Sequence, residues 1–188
     1  METLASLQNH FLIAMPNMDD PFFARSVTYI CEHNGEGAMG LIINQPVELS
    51  VEDLLTKLEI VVPTENQQLE KPVYAGGPLA RDRGFVLHSA EQQWRSSVQL
   101  SDDLVITTSK DILEDMGRGN TPSHYLLTLG YSGWEAGQLE QELAENSWLV
   151  IPADSDILFH TPSHERWQKA LKKLGVDAWQ IVSDVGHA

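Results

Sequence analysis

The sequence predicts a single α/β domain, residues 1–188, in which helices pack in layers on a mixed β-sheet. Three observations predict it. Short apolar runs rich in β-branched residues alternate with amphipathic segments from end to end, with no repeat and no low-complexity tract. Several of these runs, 40–44 and 125–131 among them, are apolar at both parities, as strands covered on two faces are, while others alternate. A chain of 188 residues with 42 % hydrophobic and 21 % charged side chains has ordinary globular composition. One core of that size buries roughly 70 % of the unfolded surface, so no second domain is required.

Nine strands are expected, at 10–15, 26–33, 38–44, 72–77, 83–89, 96–100, 104–109, 124–131 and 147–153. Four helices are expected from their caps. The first opens at Ser50 with Asp53 three residues on, and Leu54, Leu55 and Leu58 form its apolar stripe. The second starts near Thr108 or Ser109, carries Asp111 in its first turn and stops at Gly117. For the third, Ser132 and Glu135 form a capping box ahead of Leu139 and Leu143. For the fourth, Thr161 is the N-cap, Pro162 the first helical residue and Gly175 the stop. Asp19 and Asp20, before Pro21, are turn and cap residues. Glycines in 35–40 mark a hairpin turn. Residues 62–72, polar and bounded by prolines, are a surface loop rather than a mobile flap.

Charge and cysteine content narrow the function classes. The formal net charge is -15, from 27 acidic and 12 basic side chains, which repels phosphate backbones, so no direct nucleic-acid binding is expected. Arg166, Lys169, Lys172 and Lys173 gather four of the 12 cations within eight residues. Their helix is expected to turn Arg166, Lys169 and Lys173 to solvent and Trp167, Leu171 and Leu174 to the core. The longest nearly uncharged apolar run, 37–47, falls far short of the roughly 20 residues of a membrane span. The acidic N-terminus has no cationic leader, and one cysteine cannot form an internal disulfide. A cytoplasmic location without membrane insertion is the expectation.

Cys31 and His33 pose the sharpest chemical question. At i and i+2 on a strand they share a face, their Cα atoms roughly 6.5 Å apart. An activated thiol needs an electropositive setting, yet Glu32 is adjacent and no cation follows Arg25 nearby, so a buried structural cysteine is expected. The seven histidines show neither H-x-H nor H-x-x-x-H spacing, and a lone cysteine excludes a CxxC site; no metal is expected. There is no Walker A loop, G-x-G-x-x-G or G-x-S-x-G motif, and no cofactor is implied. The stretch 74–88 is more informative. Gly76, Gly77 and Pro78 make a turn whose amides could cradle an anion, with Arg83 and His88 following. With Asn44 these make the candidate ligand-binding set: Asn44, Gly76, Gly77, Arg83 and His88.

The segments 10–16, 19–46, 76–88, 129–143, 148–154 and 157–159 together resemble the YqgE/AlgH family of bacterial proteins, over nearly the whole chain. Its "GA-x-G-x-x-x-N-x-P" pattern falls on Gly37, Ala38, Gly40, Asn44 and Pro46. "GGP" falls on Gly76 to Pro78 and "LH" on Leu87 and His88. The resemblance implies a bulged mixed sheet flanked by helices and no established activity, cofactor or substrate. Two functional expectations follow. The first, slightly favoured, is a non-enzymatic regulatory role through a protein partner; the second is a protein or enzyme that binds an anionic metabolite or nucleotide at the Gly-Gly-Pro region.

Overall fold

The computed structural model describes residues 6–63 and 66–175. Ten described strands form one curled sheet: β1 (His10–Ala14), β2 (Val27–Asn34), β3 (Gly37–Ile42), β4 (Pro46–Ser50), β5 (Pro72–Ala75), β6 (Leu79–Ser89), β7 (Ser97–Gln99), β8 (Leu104–Thr107), β9 (Tyr125–Glu135) and β10 (Trp148–Pro152). Five described helices accompany them: α1 (Val51–Lys57), α2 (Lys110–Gly117), α3 (Gln138–Ala144), α4 (Ser155–Phe159) and α5 (Arg166–Lys173). The main path runs β10-β1-β2-β3-β9-β6-β8-β7. It is antiparallel throughout. β5 joins β9 in parallel and β4 in antiparallel register, which makes the sheet mixed, as expected.

The period-two alternation of the strands sorts side chains between two sides of the sheet. Phe11, Ile13, Tyr29, Phe85, Leu87 and Leu126 pack with Ile157 and Leu158 of α4 and Trp167 and Leu171 of α5. The opposite parity goes elsewhere. Val86, Leu127 and Tyr125 meet α1 and α2, while Leu12, Ala14 and Ile30 meet α3 through Leu139. Consecutive buried residues such as Leu41, Ile42 and Ile43 show the two-sided cover that their unbroken apolarity predicted.

Long strand β9 organises the centre. Its first half pairs with β6 on one edge and β5 on the other; its second half exchanges β5 for β3. Gly76 sits at the exchange, donating its N–H to Leu129 O at 2.8 Å and accepting from Ile42 N at 2.9 Å and Ser132 Oγ at 3.2 Å. Opposite it β6 bulges, because the six residues from Leu79 to Gly84 face three on β9, Leu129 to Tyr131, with Ala80 forced to φ 44°.

The structure corrects several expectations. Ser132 and Glu135 are strand residues, not a capping box: Trp134 pairs with Ala38 and is buried, so sheet pairing extends through the segment. α3 starts six residues after Ser132, behind Gly137 in the left-handed region. Strand β4 and helix α4 had no clear periodicity in so few residues. Thr161 does not cap α5; its hydroxyl donates to Asp156 O, and a 3-10 turn at 163–165 precedes the helix. The Ser50–Asp53 capping box forms as expected. Asp20 also behaves as a cap, its carboxylate accepting from Phe22 N and Phe23 N. Within 62–72, Asn66 caps a short 3-10 turn and Leu69 enters the core, anchoring the loop; residues 64 and 65 lie outside the described residues.

Candidate functional site

Cys31 and His33 part company because β2 bulges between Ile30 and Glu32. The extra residue reverses the alternation. Cys31 stays with Val27 and Tyr29 in the core against α4 and α5, whereas His33 reaches the side of α3. The shared face expected from simple spacing is therefore lost. Burial, with Glu32 nearby, pushes the Cys31 thiol well above its ordinary range, which suits the structural role. His33 Nδ1 accepts from Leu7 N at 2.9 Å, so Nε2 carries the proton and donates to Glu140 Oε1 at 2.5 Å. That ring ties the segment before β1 to α3.

The five candidate ligand residues are placed as follows. Asn44 is committed at both ends, its Oδ1 accepting from Val27 N and its Nδ2 donating to Arg25 O, both at 2.9 Å. Gly76 and Gly77 permit a close crossing of chains. An ideal Cβ would fall 2.3 Å from Gly130 O at the first and 2.2 Å from Tyr131 C at the second. Arg83 lies on the exposed β6 bulge, its guanidinium over the Phe85 ring. His88 is five residues further along β6, roughly 16 Å at strand rise, and fully buried. Its Nδ1 donates to Ser89 O, and its Nε2 accepts from Thr107 Oγ1, which in turn meets Ser97 Oγ. Asn44, Gly76 and Gly77 lie together where the end of β3 meets β5, Arg83 lies across β9 from them beside Gly84, and His88 stands apart.

A different group of residues makes a cleft. It opens between β5, the start of β9 and the turn joining α4 to α5, with a volume of about 260 Å³. Asp154 caps α4 by accepting from Asp156 N, and the helix ends at His160, whose N–H donates to Asp156 O. Pro162 then turns the chain into α5, where Trp167 Nε1 donates to Ala14 O at 2.9 Å and fixes the helix on the sheet. Exposed ion pairs of Lys169 with Asp156 and Lys173 with Asp154 link α4 and α5.

Arg166 forms the floor. It is 4 % exposed, which overturns its expected place on the solvated face of its helix. Its Nε donates to Thr161 O at 3.0 Å, its Nη1 donates to Ile43 O, and its guanidinium lies 5.1 Å from the Tyr74 ring centroid. No carboxylate pairs with it among the described residues. Burying a cation without a counter-charge is costly; here two carbonyl dipoles and one π-face are the compensation. Nη2 makes no hydrogen bond among the described residues, and the cleft lies over it.

Lys71 supplies the second cation, its ammonium 4.8 Å from the Tyr125 centroid. Partial loss of water against the wall lowers its pKa. Burial pushes the Tyr125 phenol up, with neighbouring Tyr74 adding to the effect, and its O–H donates to Gln68 O at 2.5 Å. Leu126, Leu158, Phe159 and Pro162 complete an apolar wall. At the rim, the His160 ring meets His124 edge to face at 4.7 Å, and His124 stacks on Phe159 at 5.7 Å. The hydroxyls of Tyr125 and Thr161 are committed to carbonyls, so the cleft offers positive charge, apolar surface and the Tyr74 hydroxyl.

The sequence held one sign of Arg166: Arg166 and Ala170, like Trp167 and Leu171, stand four apart, so the buried stripe includes the arginine's column. Nothing local announced Lys71, Tyr74 and Tyr125, which converge from two strands. Among the described residues no group of three His, Cys, Asp or Glu side chains converges on a metal-sized space, and no helix is long and apolar enough to cross a membrane.

The fold and cleft define a mixed α/β protein with a curled sheet and a small cationic recess under one helical flank. The AlgH-like family model matches residues 11–179, and the chain belongs to that family. Among its relatives is a UPF0301 protein of Idiomarina loihiensis, 63 % identical over 183 residues, which cover 97 % of this chain and 99 % of the relative. A UPF0301 protein of Vibrio cholerae is 54 % identical over 186 residues, covering 97 % of this chain and all of the relative. The solution structure of the AlgH protein from Pseudomonas aeruginosa matches with TM-score 0.78 and 44 % identity, covering 97 % of each chain. A Corynebacterium diphtheriae protein shares the fold, with TM-score 0.72, 23 % identity, and coverage of 92 % of this chain and 90 % of that one.

Proposed function

We propose that this chain is a cytoplasmic binding protein for a small anionic molecule, held in the cleft between β5, β9 and the α4–α5 turn. The observation that carries the reading is Arg166, a guanidinium buried beneath an open recess with no carboxylate partner among the described residues. In a chain of net charge -15, two cations meeting at one recess are a local reversal of sign, and such a recess concentrates anions. Both functional expectations from sequence remain compatible with this; the cleft favours the second, at a place the Gly-Gly-Pro turn does not occupy. A regulatory role would then run through the bound molecule.

The test is a titration of the ¹⁵N-labelled protein with a panel of carboxylates and phosphates at constant ionic strength. The expected result is saturable movement of amides at 71–75, 125–127 and 158–167 for at least one anion, weakened in Lys71→Gln. Uniform small shifts across the surface, equal in the variant, would overturn the reading.

A further inference from the structure

The dimensions and donor inventory of the cleft say more about the occupant than its charge. Resting on the anion-binding reading above, we propose that the cleft takes a compact hydrophobic monocarboxylate of single-ring size, its carboxylate between Arg166 and Lys71 and its body against Tyr74, Phe159 and Pro162.

Size is the first argument. Sites for drug-sized ligands run from about 300 to 1,000 Å³. At about 260 Å³ this cleft lies below that range, so a single ring with a carboxylate fills it, while a nucleotide with base, ribose and phosphate would project from its open side.

Donor count is the second. A phosphomonoester presents three terminal oxygens, and phosphate sites answer them with runs of backbone N–H groups at helix N-termini or glycine-rich turns. Here two lining positions, Pro72 and Pro162, have no N–H. The hydroxyls of Thr161 and Tyr125 already donate to Asp156 O and Gln68 O. What remains is the Nη2 edge of Arg166 and the Lys71 ammonium, with the Tyr74 hydroxyl and the His160 ring beside them; the Arg166 and Lys71 cations match the two oxygens of one carboxylate.

Apolarity is the third. Pro72, Leu126, Leu158, Phe159 and Pro162 present hydrocarbon around the two cations, which a bare inorganic anion would leave wet and a ring would cover.

Benzoate is the probe, with benzamide as its neutral isostere and phenyl phosphate, inorganic phosphate and adenosine monophosphate as competitors. Binding is read by calorimetry and by amide shifts at 71–75 and 158–167. Benzoate is expected to bind at these residues at least about tenfold more tightly than benzamide, since a charge-assisted hydrogen bond is worth that factor or more. Lys71→Gln, a change at an exposed side chain, is expected to cost benzoate about tenfold and leave benzamide unchanged. Phe159→Ala is expected to weaken both. Tighter binding of phenyl phosphate or adenosine monophosphate at the same amides would overturn the carboxylate assignment and leave the anion-binding reading standing. Equal affinity for benzoate and benzamide would overturn the assignment as well. No shift at these amides with any of the five probes would overturn both.

Discussion

Replacing Gly76 by alanine tests the crossing at which β5 yields to β3 along β9. The φ of Gly76 is not in the left-handed region, so the substitution acts through space alone. An alanine Cβ would stand 2.3 Å from Gly130 O, 3.0 Å from Thr128 Oγ1 and 3.1 Å from Thr128 Cβ. The first contact is with backbone, so the two chains must separate by about 1 Å to reach ordinary van der Waals distance. Overpacking of this kind costs about 1–3 kcal/mol. Separation also breaks the 2.8 Å bond from Gly76 N to Leu129 O, worth about 1 kcal/mol. The sum is a destabilisation of about 2–4 kcal/mol, or roughly 4–16 °C in Tm for a chain of this length. Urea unfolding followed by circular dichroism measures it, with Gly84→Ala as control. An ideal Cβ on Gly84 meets nothing within 4 Å, so that variant should stay within about 1 kcal/mol of the parent. Gly76→Ala falling within about 0.5 kcal/mol of the parent, or matching the loss in Gly84→Ala, would refute the steric argument.

Two further predictions concern buried groups. Cys31 should react with iodoacetamide at neutral pH at least about a hundredfold more slowly than the same thiol in urea, because burial disfavours the thiolate and closes access; a native rate equal to that of a free thiol would refute the burial argument, and only a faster one would restore an activated cysteine. His88 should make the fold acid-sensitive. Burial lowers its pKa, against smaller raising effects of the Ser89 carbonyl and Glu91, so the unfolded chain takes up the proton first. Its contribution is present above about pH 6.5 and is lost as pH falls below, with a slope of at most about 1.4 kcal/mol per pH unit. His88→Gln should flatten the stability profile between pH 7 and 5; an unchanged slope would refute the assignment.

What the sequence by itself determined was whatever chemistry acts over a few residues. Alternation and two-parity apolar runs placed the strands, Ser50 and Asp53 fixed the start of α1, and the electronegative setting of Cys31 argued against a nucleophile. The family was equally legible, carried by motifs spread over most of the chain. Tertiary structure decided the rest. The bulge in β2 parted Cys31 from His33, because one extra residue opposite β3 inverts every later side chain. Pairing with β3 drew Trp134 and Glu135 into β9 against their local helix signal, since a strand gains partners that a cap does not know about. The cleft is the clearest case. Lys71, Tyr125 and Arg166 are separated by 54 and 41 positions and share a recess only because β5 runs parallel to β9 and α5 folds back over both. Arg166 belongs to a helix whose sequence looks solvated on that side; it is buried because Trp167 and Ala170 pin the neighbouring face to the sheet and carry the guanidinium under with them.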